Sequence, residues 1–468
     1  MKHHKTTIVS LVAVLFLAGC SLSPELKVPT MELPSKNMEA NEALHVEQEW
    51  WKKFGDEKLN ALIQEALQNS DDLKLSALRI IKAEQTYGLS NANRYPTLSA
   101  NAGASRQKTS DETYQNNRAT YSDHTLGAGL QYEIDFWDKL KGQSEANLAA
   151  YLSTKAARET LRNTLINDVI AAYFNLASLD ERIKILDETT QTYKESYEFR
   201  LKQQKYGTIN DLLANQALAQ YNNTKSAKET LKETKSAQES ALYILLGKSP
   251  QALFDEEKTS FAKLPNAIIV PKGVPSSLLE NRPDIKEALE NLKSKNALIG
   301  VEKSAYFPSI SLTGNYGQQS DSLNNILQSS ANKWSFGPTL SVPIFDFDRI
   351  KTRVSISQTE LETSLVSYEL SVKKAYKEVY DALSRQSLIQ NRLAFQQDEV
   401  VAYQKMLTFT TQRFDRGVAN HLEVLDARKG LLNASLGVVT TRQALLSAQA
   451  ELFKALGGGW NQEMLLKN

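Results

Sequence analysis

The sequence predicts an α+β membrane protein that joins long antiparallel coiled-coil helices to four transmembrane β-strands per chain. Three observations carry that prediction. One is an internal repeat at a spacing of 210 residues. Another is a set of four short segments with period-two alternation. The third is a pair of stretches, 138–206 and 348–416, almost free of glycine and proline.

The N-terminus reads as an address. Met1 to Lys5 is a basic run, and Thr6 to Ala18 is mostly apolar and of signal-peptide length. It is too short to span a bilayer as a helix. It ends in Leu17-Ala18-Gly19-Cys20, which resembles the bacterial lipobox and implies cleavage before Cys20 and acylation of that residue. Cys20 is the only cysteine, so no intrachain disulfide or Cys-based metal site can form. Ser21 follows it, where the sorting rule of such lipoproteins favours the outer membrane. Acyl chains contribute about 0.8 kcal/mol per buried CH2, which anchors a chain but does not carry it across the bilayer.

The repeat has several landmarks at one offset. Gly127, Leu130, Ile134 and Asp138 read against Gly337, Leu340, Ile344 and Asp348. Tyr206-Gly207 reads against Arg416-Gly417, Leu212 against Leu422, and Leu246-Gly247 against Leu456-Gly457. Upstream, Tyr95-Pro96-Thr97-Leu98-Ser99 matches Phe307-Pro308-Ser309-Ile310-Ser311 at an offset of 212. The chain is two copies of one unit.

Each copy holds two strand candidates. Leu98, Ala100, Ala102 and Ala104 alternate with polar residues, as do Leu126, Ala128, Leu130, Tyr132 and Ile134. The second copy gives Ile310, Leu312 and Tyr316, then Trp334, Phe336, Leu340, Val342 and Ile344. Such alternation fits a half-buried sheet of a soluble domain, or a membrane barrel with lipid outside and water inside. On the second reading four strands are too few, because about eight is the practical minimum. Open edges are not tolerated in lipid, so the chain would share its barrel with copies of itself.

The helices follow. A continuous helix over 138–206 or 348–416 would reach about 100 Å at 1.5 Å per residue. Leu165, Val169, Ala172, Leu176, Leu179, Ile183 and Leu186 step by fours and threes. Leu361, Leu365, Tyr368, Val372, Ala375, Val379 and Ala382 repeat the pattern, which is that of coiled-coil packing. Gly207 and Gly417 are placed as C-terminal caps, with returning helices from about Asn210 to Leu246 and Asn420 to Leu456.

Composition excludes other classes. The balance of 55 basic against 54 acidic residues leaves no basic surplus for nucleic acid. Without Lys2 and Lys5 of the leader, 53 basic residues remain against 54 acidic. The five histidines are scattered, and phosphate-loop, dinucleotide and nucleophile-elbow motifs are missing. An enzyme is not expected, nor any cofactor beyond covalent lipid on Cys20.

These features resemble the TolC family of outer-membrane factors, and within it the lipidated OprM-like, or NodT-type, efflux lipoproteins. Local sequence adds Trp50-Trp51 with Phe54, Asp56 and Leu59; Asn281-Arg282-Pro283-Asp284; Tyr306-Phe307-Pro308; and Leu456-Gly457-Gly458-Gly459-Trp460. The resemblance implies a homotrimer whose twelve strands close one barrel above an α-helical periplasmic tunnel. It divides the chain into a signal peptide (1–19), a lipidated segment and belt (20–58), repeats over 59–270 and 271–456, and a C-terminal belt segment (457–468). Segments 106–121 and 318–332 would be extracellular loops. The implied partners are outer-membrane lipid, a periplasmic adaptor protein and an inner-membrane pump. The implied function is the exit duct of a tripartite, RND-type efflux system for drugs or other toxic small molecules. Type I protein secretion and metal-ion efflux are the alternatives within the family, and a lipid-anchored coiled-coil stalk lies outside it.

By position, the family's gate falls on Leu422, Asp426 and Lys429. Leu422 and Asp426 share one helix face. Leu422 also fits a coiled-coil core, and Asp426 a solvated helix charge. Ala419 stands where the family often has an acidic residue, and Lys429 where it often has arginine. A lysine cannot make a bidentate clasp. The turns Tyr206-Gly207-Thr208 and Arg416-Gly417-Val418 are helix caps and candidate adaptor contacts.

Overall fold

The computed structural model describes residues 22–28, 47–108, 120–249, 251, 264–265, 267 and 282–460. Cys20, most of the expected belt and the C-terminal tail lie outside them. A short 3-10 turn, Trp50–Phe54, precedes α1 (Glu57–Asn69) and α2 (Asp71–Ala92). Then come β1 (Thr97–Lys108), β2 (Thr120–Ile134), α3 (Lys139–Lys205) and α4 (Asp211–Leu245). The second copy gives α5 (Pro283–Ser304), β3 (Ser309–Ser320), β4 (Asn332–Ser341), α6 (Arg349–Asp415) and α7 (His421–Ala455). The two long helices have 67 residues each and the two returning helices 35 each, as the repeat requires.

Two compact units divide the chain. One takes Met1–Thr30, Arg79–Thr154 and Glu287–Glu369; the other takes Met31–Leu78, Lys155–Lys286 and Leu370–Asn468. The first unit holds an antiparallel sheet in the order β1-β2-β3-β4. Strand β4 ends at Ser341, so Val342 and Ile344 lie beyond it, contrary to the alternation. Pro343 lacks an N–H to continue the ladder. Strands β1 and β2 reach Lys108 and Thr120, a few residues into the segment expected to be a loop.

Both long helices start from a short acidic turn. Asp135 accepts the N–H groups of Leu140 (3.0 Å) and Lys141 (2.7 Å), and Asp346 accepts that of Ile350 (2.8 Å). Four N–H groups at a helix start lack intrahelical partners, and these carboxylates take some of them. Gly142, the one glycine of α3, does not break it. A Cβ there would sit 3.2 Å from Val301 Cγ2, so the glycine permits close approach of α5.

In the second unit the stepped residues of α3 form a core: Leu165, Val169, Ala172, Leu176, Leu179 and Leu186 are buried. On α6, Val372, Ala375, Val379 and Ala382 are buried too. The Trp-Trp motif docks on this core. Trp50 stacks on Phe453 (centroids 5.0 Å), and Phe54 meets Phe174 edge-on (5.1 Å). Asp56 caps α1 by accepting the Leu59 N–H (3.1 Å) and also takes the Tyr173 hydroxyl (2.6 Å). In the triple-glycine motif all three residues have positive φ, and the Gly457 carbonyl accepts the Asn163 amide (3.0 Å).

Candidate functional site

A duct works through its walls and its constriction, so two places matter. The first is the sheet. Its registers put Leu98 opposite Leu130, Ala128 opposite Tyr316 and Tyr316 opposite Trp334. One face therefore carries Leu98, Ala100, Ala102, Leu126, Ala128, Leu130, Tyr132, Ile134, Ile310, Leu312, Tyr316, Trp334, Phe336 and Leu340. The other carries Ser99, Asn101, Gly127, Gly129, Gln131, Ser311, Thr313, Asn315, Gly317, Ser335, Gly337 and Thr339. Among the described residues nothing covers the apolar face; Trp334 is 75% exposed. That much bare apolar surface contradicts the half-buried sheet of a soluble domain and fits lipid.

The polar face is tied across the strands. Ser99 Oγ donates to the Gly129 carbonyl (3.3 Å), Thr313 Oγ1 to that of Gly337 (3.4 Å), and Asn315 Nδ2 to Ser335 Oγ (3.4 Å). Charge appears at both ends: at one, Gln319 donates to Asp123 (2.8 Å) and Lys333 to Gln319 (2.6 Å); at the other, Lys139 donates to Glu133 (3.0 Å). The middle is hydroxyl, amide and glycine, a surface that water wets without preferring either sign of ion.

The second place is the pair of helical turns. Gly207 has φ 70° and Gly417 φ 73°. Thr208 N–H bonds the Gln203 carbonyl and Gly207 N–H that of Gln204, each at 2.9 Å; Val418 to Arg413 and Gly417 to Phe414 repeat this at 2.9 Å. These are Schellman caps. Asn210 and Asn420 then cap the returning helices, the latter in a full capping box with Glu423. Tyr206, Gly207, Thr208, Arg416, Gly417 and Val418 are all exposed.

Leu422, Asp426 and Lys429 are exposed together, while Val424 and Ala427 between them are buried. Leu422, at 51% exposure, is not in a core of its own chain. The triplet thus shares one open face of α7. Its counterparts in the first copy are Leu212, Gln216 and Ala219, so only the second hairpin carries the charges.

Sequence reasoning missed a cluster behind this face. The Arg200 guanidinium lies over the Phe414 ring (5.4 Å), and Phe414 meets His421 edge-on (5.7 Å). Burial, with the Arg200 and Arg428 charges beside it, lowers the His421 imidazole to about 4. It also missed the role of Arg282, which sits in the Asn-Arg-Pro-Asp motif. Arg282 grips both oxygens of Asp284 (3.0 and 2.8 Å), bonds Glu378 (2.6 Å) and donates to the Ala455 carbonyl at the end of α7 (2.8 Å). The motif itself was the available signal. Among the described residues no group of His, Cys, Asp and Glu could hold a metal ion, and no helix is long and apolar enough to cross a membrane.

Comparison with known proteins agrees with this geometry. The family model described as "Outer membrane efflux protein" matches residues 62–248 and 274–458, one segment for each copy of the repeat. The Cation efflux system protein CusC of Escherichia coli is 32% identical over 454 residues, covering 95% of this chain and 97% of its own. The Toluene efflux pump outer membrane protein TtgC of Pseudomonas putida is 29% identical over 463 residues, covering 97% and 95%. The crystal structure of the Campylobacter jejuni CmeC outer membrane channel superposes with a TM-score of 0.90 at 27% identity, covering 95% of this chain and 96% of that one. The chain belongs to the outer membrane efflux protein family and is a non-enzymatic outer-membrane channel of efflux pumps.

Proposed function

We propose that three copies close one twelve-stranded barrel, anchored by acyl groups on Cys20, and serve as the passive exit duct of a tripartite efflux pump. The observation that carries this is the sheet, which has one apolar face, one wettable face and, among the described residues, two unpaired edges. An adaptor protein docks at the two Schellman turns, and an inner-membrane pump supplies the energy. The cargo is toxic organic small molecules. Metal ions are the second reading, supported by the 32% identity to a relative named for cation efflux. Relatives named for cations and for toluene match at 32% and 29%, which supports cargo choice by the pump rather than by the duct.

The gate is the exposed face of α7. Leu422 narrows the bore, Asp426 from each copy forms a carboxylate ring, and Lys429 stands one turn on. Three such charges near one axis repel unless cations sit between them. Asp426→Ala is expected to raise the resting conductance of the purified channel in a planar bilayer, and unchanged conductance removes Asp426 from the gate. The wider test deletes the gene and compares sensitivity to dyes, detergents, antibiotics, copper and silver. Sensitisation to several organic compounds supports the cargo proposed. Sensitisation to metals alone supports the second reading, and loss of a secreted protein with no sensitisation overturns both.

A further inference from the structure

The four strands sort their charges by face. Asp123 and Glu133, their carboxylates, both stand on the wettable face, as does Lys333. Arg106 and Lys108 stand on the apolar one, where they continue the alternation of Leu98, Ala100, Ala102 and Ala104 along β1. Arg106 pairs with Ser122 and Lys108 with Thr120, and the neighbouring Ala104 pairs with His124. Both cations are exposed. Among the described strand residues no carboxylate shares their face.

The strand beside them sets their depth. On β2 the apolar run from Ile134 back to Leu126 is about nine residues, the length that crosses the hydrocarbon of a bilayer. Arg106 and Lys108 pair beyond that run, at the strand ends away from the long helices. A cation facing lipid is costly at mid-bilayer and nearly free at the interface, so this is where such residues can stand. Polarity alone would not require charge there. The offset of 212 carries Arg106 onto Gln318 and Lys108 onto Ser320, so β3 meets the same interface with an amide and a hydroxyl.

We propose that Arg106 and Lys108, with His124 beside them, hold phosphate groups of the lipid headgroups at the outer surface of the membrane. The proposal rests on the reading that the apolar face meets lipid. A guanidinium gives a phosphate two parallel N–H donors, and the lysine adds a point charge. The absence of a carboxylate on that face leaves both cations free to take an anion from outside the strands. The second hairpin lacks the pair, so the headgroup is held on one side of each chain's sheet.

The test titrates the full-length protein, purified in neutral detergent, with lipid A, whose sugar headgroup carries phosphate. Retention is read by native mass spectrometry, and the same spectra show whether each variant keeps the assembly of the unaltered protein. Arg106→Gln with Lys108→Gln is expected to weaken retention about thirty-fold at low salt. Gln318→Arg with Ser320→Lys, which gives the second hairpin the same pair, is expected to strengthen it. Lipid A stripped of its phosphates should be retained no better by the unaltered protein than by the glutamine variant. Equal retention of lipid A by the unaltered protein and the glutamine variant overturns the site. Equal retention of the two forms of lipid A by the unaltered protein overturns the phosphate as its ligand. Loss of bound lipid A to an equal concentration of inorganic phosphate means that the site takes a free anion, and overturns the lipid surface as partner. The underlying reading is tested apart, in phosphatidylcholine vesicles with bromine-labelled acyl chains. These should quench Trp334, whose share of the fluorescence Trp334→Phe isolates. No quenching overturns the lipid-facing reading; quenching without retention of lipid A overturns the phosphate site alone.

Discussion

Arg282 shows how one side chain can fasten three helices. Its guanidinium meets two carboxylates and the last carbonyl of α7, while the residue itself is 6% exposed. Without Arg282 the Ala455 carbonyl loses a charged donor, while Asp284 and Glu378 stay partly open to water. Arg282→Ala is therefore expected to cost about 1–2 kcal/mol, seen as a lower unfolding temperature in detergent. Arg282→Lys should fall between, since a lysine keeps charge but cannot bridge in a fork; equal stability of wild type and alanine variant would sink the argument. His421 makes a pH prediction. Its folded value of about 4 lies below the ordinary 6.5, so the packed turn binds fewer protons than the loosened one in that interval. The packing is fully favoured above about 6.5 and loses that advantage as pH falls toward 4. An NMR titration of the His421 ring should show a midpoint near 4. A midpoint near 6.5 would mean that the ring is not buried in the turn and that the Arg200 and Arg428 charges do not reach it.

At the scale of elements, glycines with different duties separate by substitution. Gly417 has a positive φ and open space where a Cβ would go, so Gly417→Ala meets only the backbone penalty, about 1–2 kcal/mol. At Gly317 a Cβ would fall 2.4 Å from the Leu126 carbonyl oxygen, so Gly317→Ala must push β2 and β3 apart. The first variant should insert into lipid vesicles normally with a lower unfolding temperature, and the second should insert poorly. Strands, long helices and their glycine ends were legible because each is a local pattern: period two, steps of three and four, a glycine past a helix end. The expected end of β4 was wrong for a local reason also, since Pro343 interrupts an alternation that hydrophobicity alone carries on to Ile344. Arg200, Phe414 and His421 were not legible as a cluster. Arg200 comes from the first copy and Phe414 and His421 from the second, and nothing in the local sequence of either copy names the residues of the other. The face of Leu422, Asp426 and Lys429 was legible as a spacing, and its exposure is what the folded chain adds.

For the whole molecule, duplication followed by divergence explains the unequal halves. The counterparts of Asp426 and Lys429 are Gln216 and Ala219, so an assembly of three chains has six similar hairpins but only three charged ones. Transplanting the charges by Gln216→Asp with Ala219→Lys is expected to alter resting conductance less than Asp426→Ala, because the first hairpin has no place in the proposed constriction. A larger effect in planar bilayers would move the constriction to both hairpins.

The two bare edges of the sheet also constrain how the protein is made. A lone chain cannot enter the bilayer, because each unpaired N–H or C=O carried into hydrocarbon costs several kcal/mol. If the barrel closes as proposed, an apolar face with Trp334, Phe336 and Leu340 waits in water until other copies arrive. Insertion is then a meeting problem before it is a membrane problem. Its rate into lipid vesicles should rise more steeply than in proportion to protein concentration, and a dilute cell compartment would lose chains to clumping unless something escorts them.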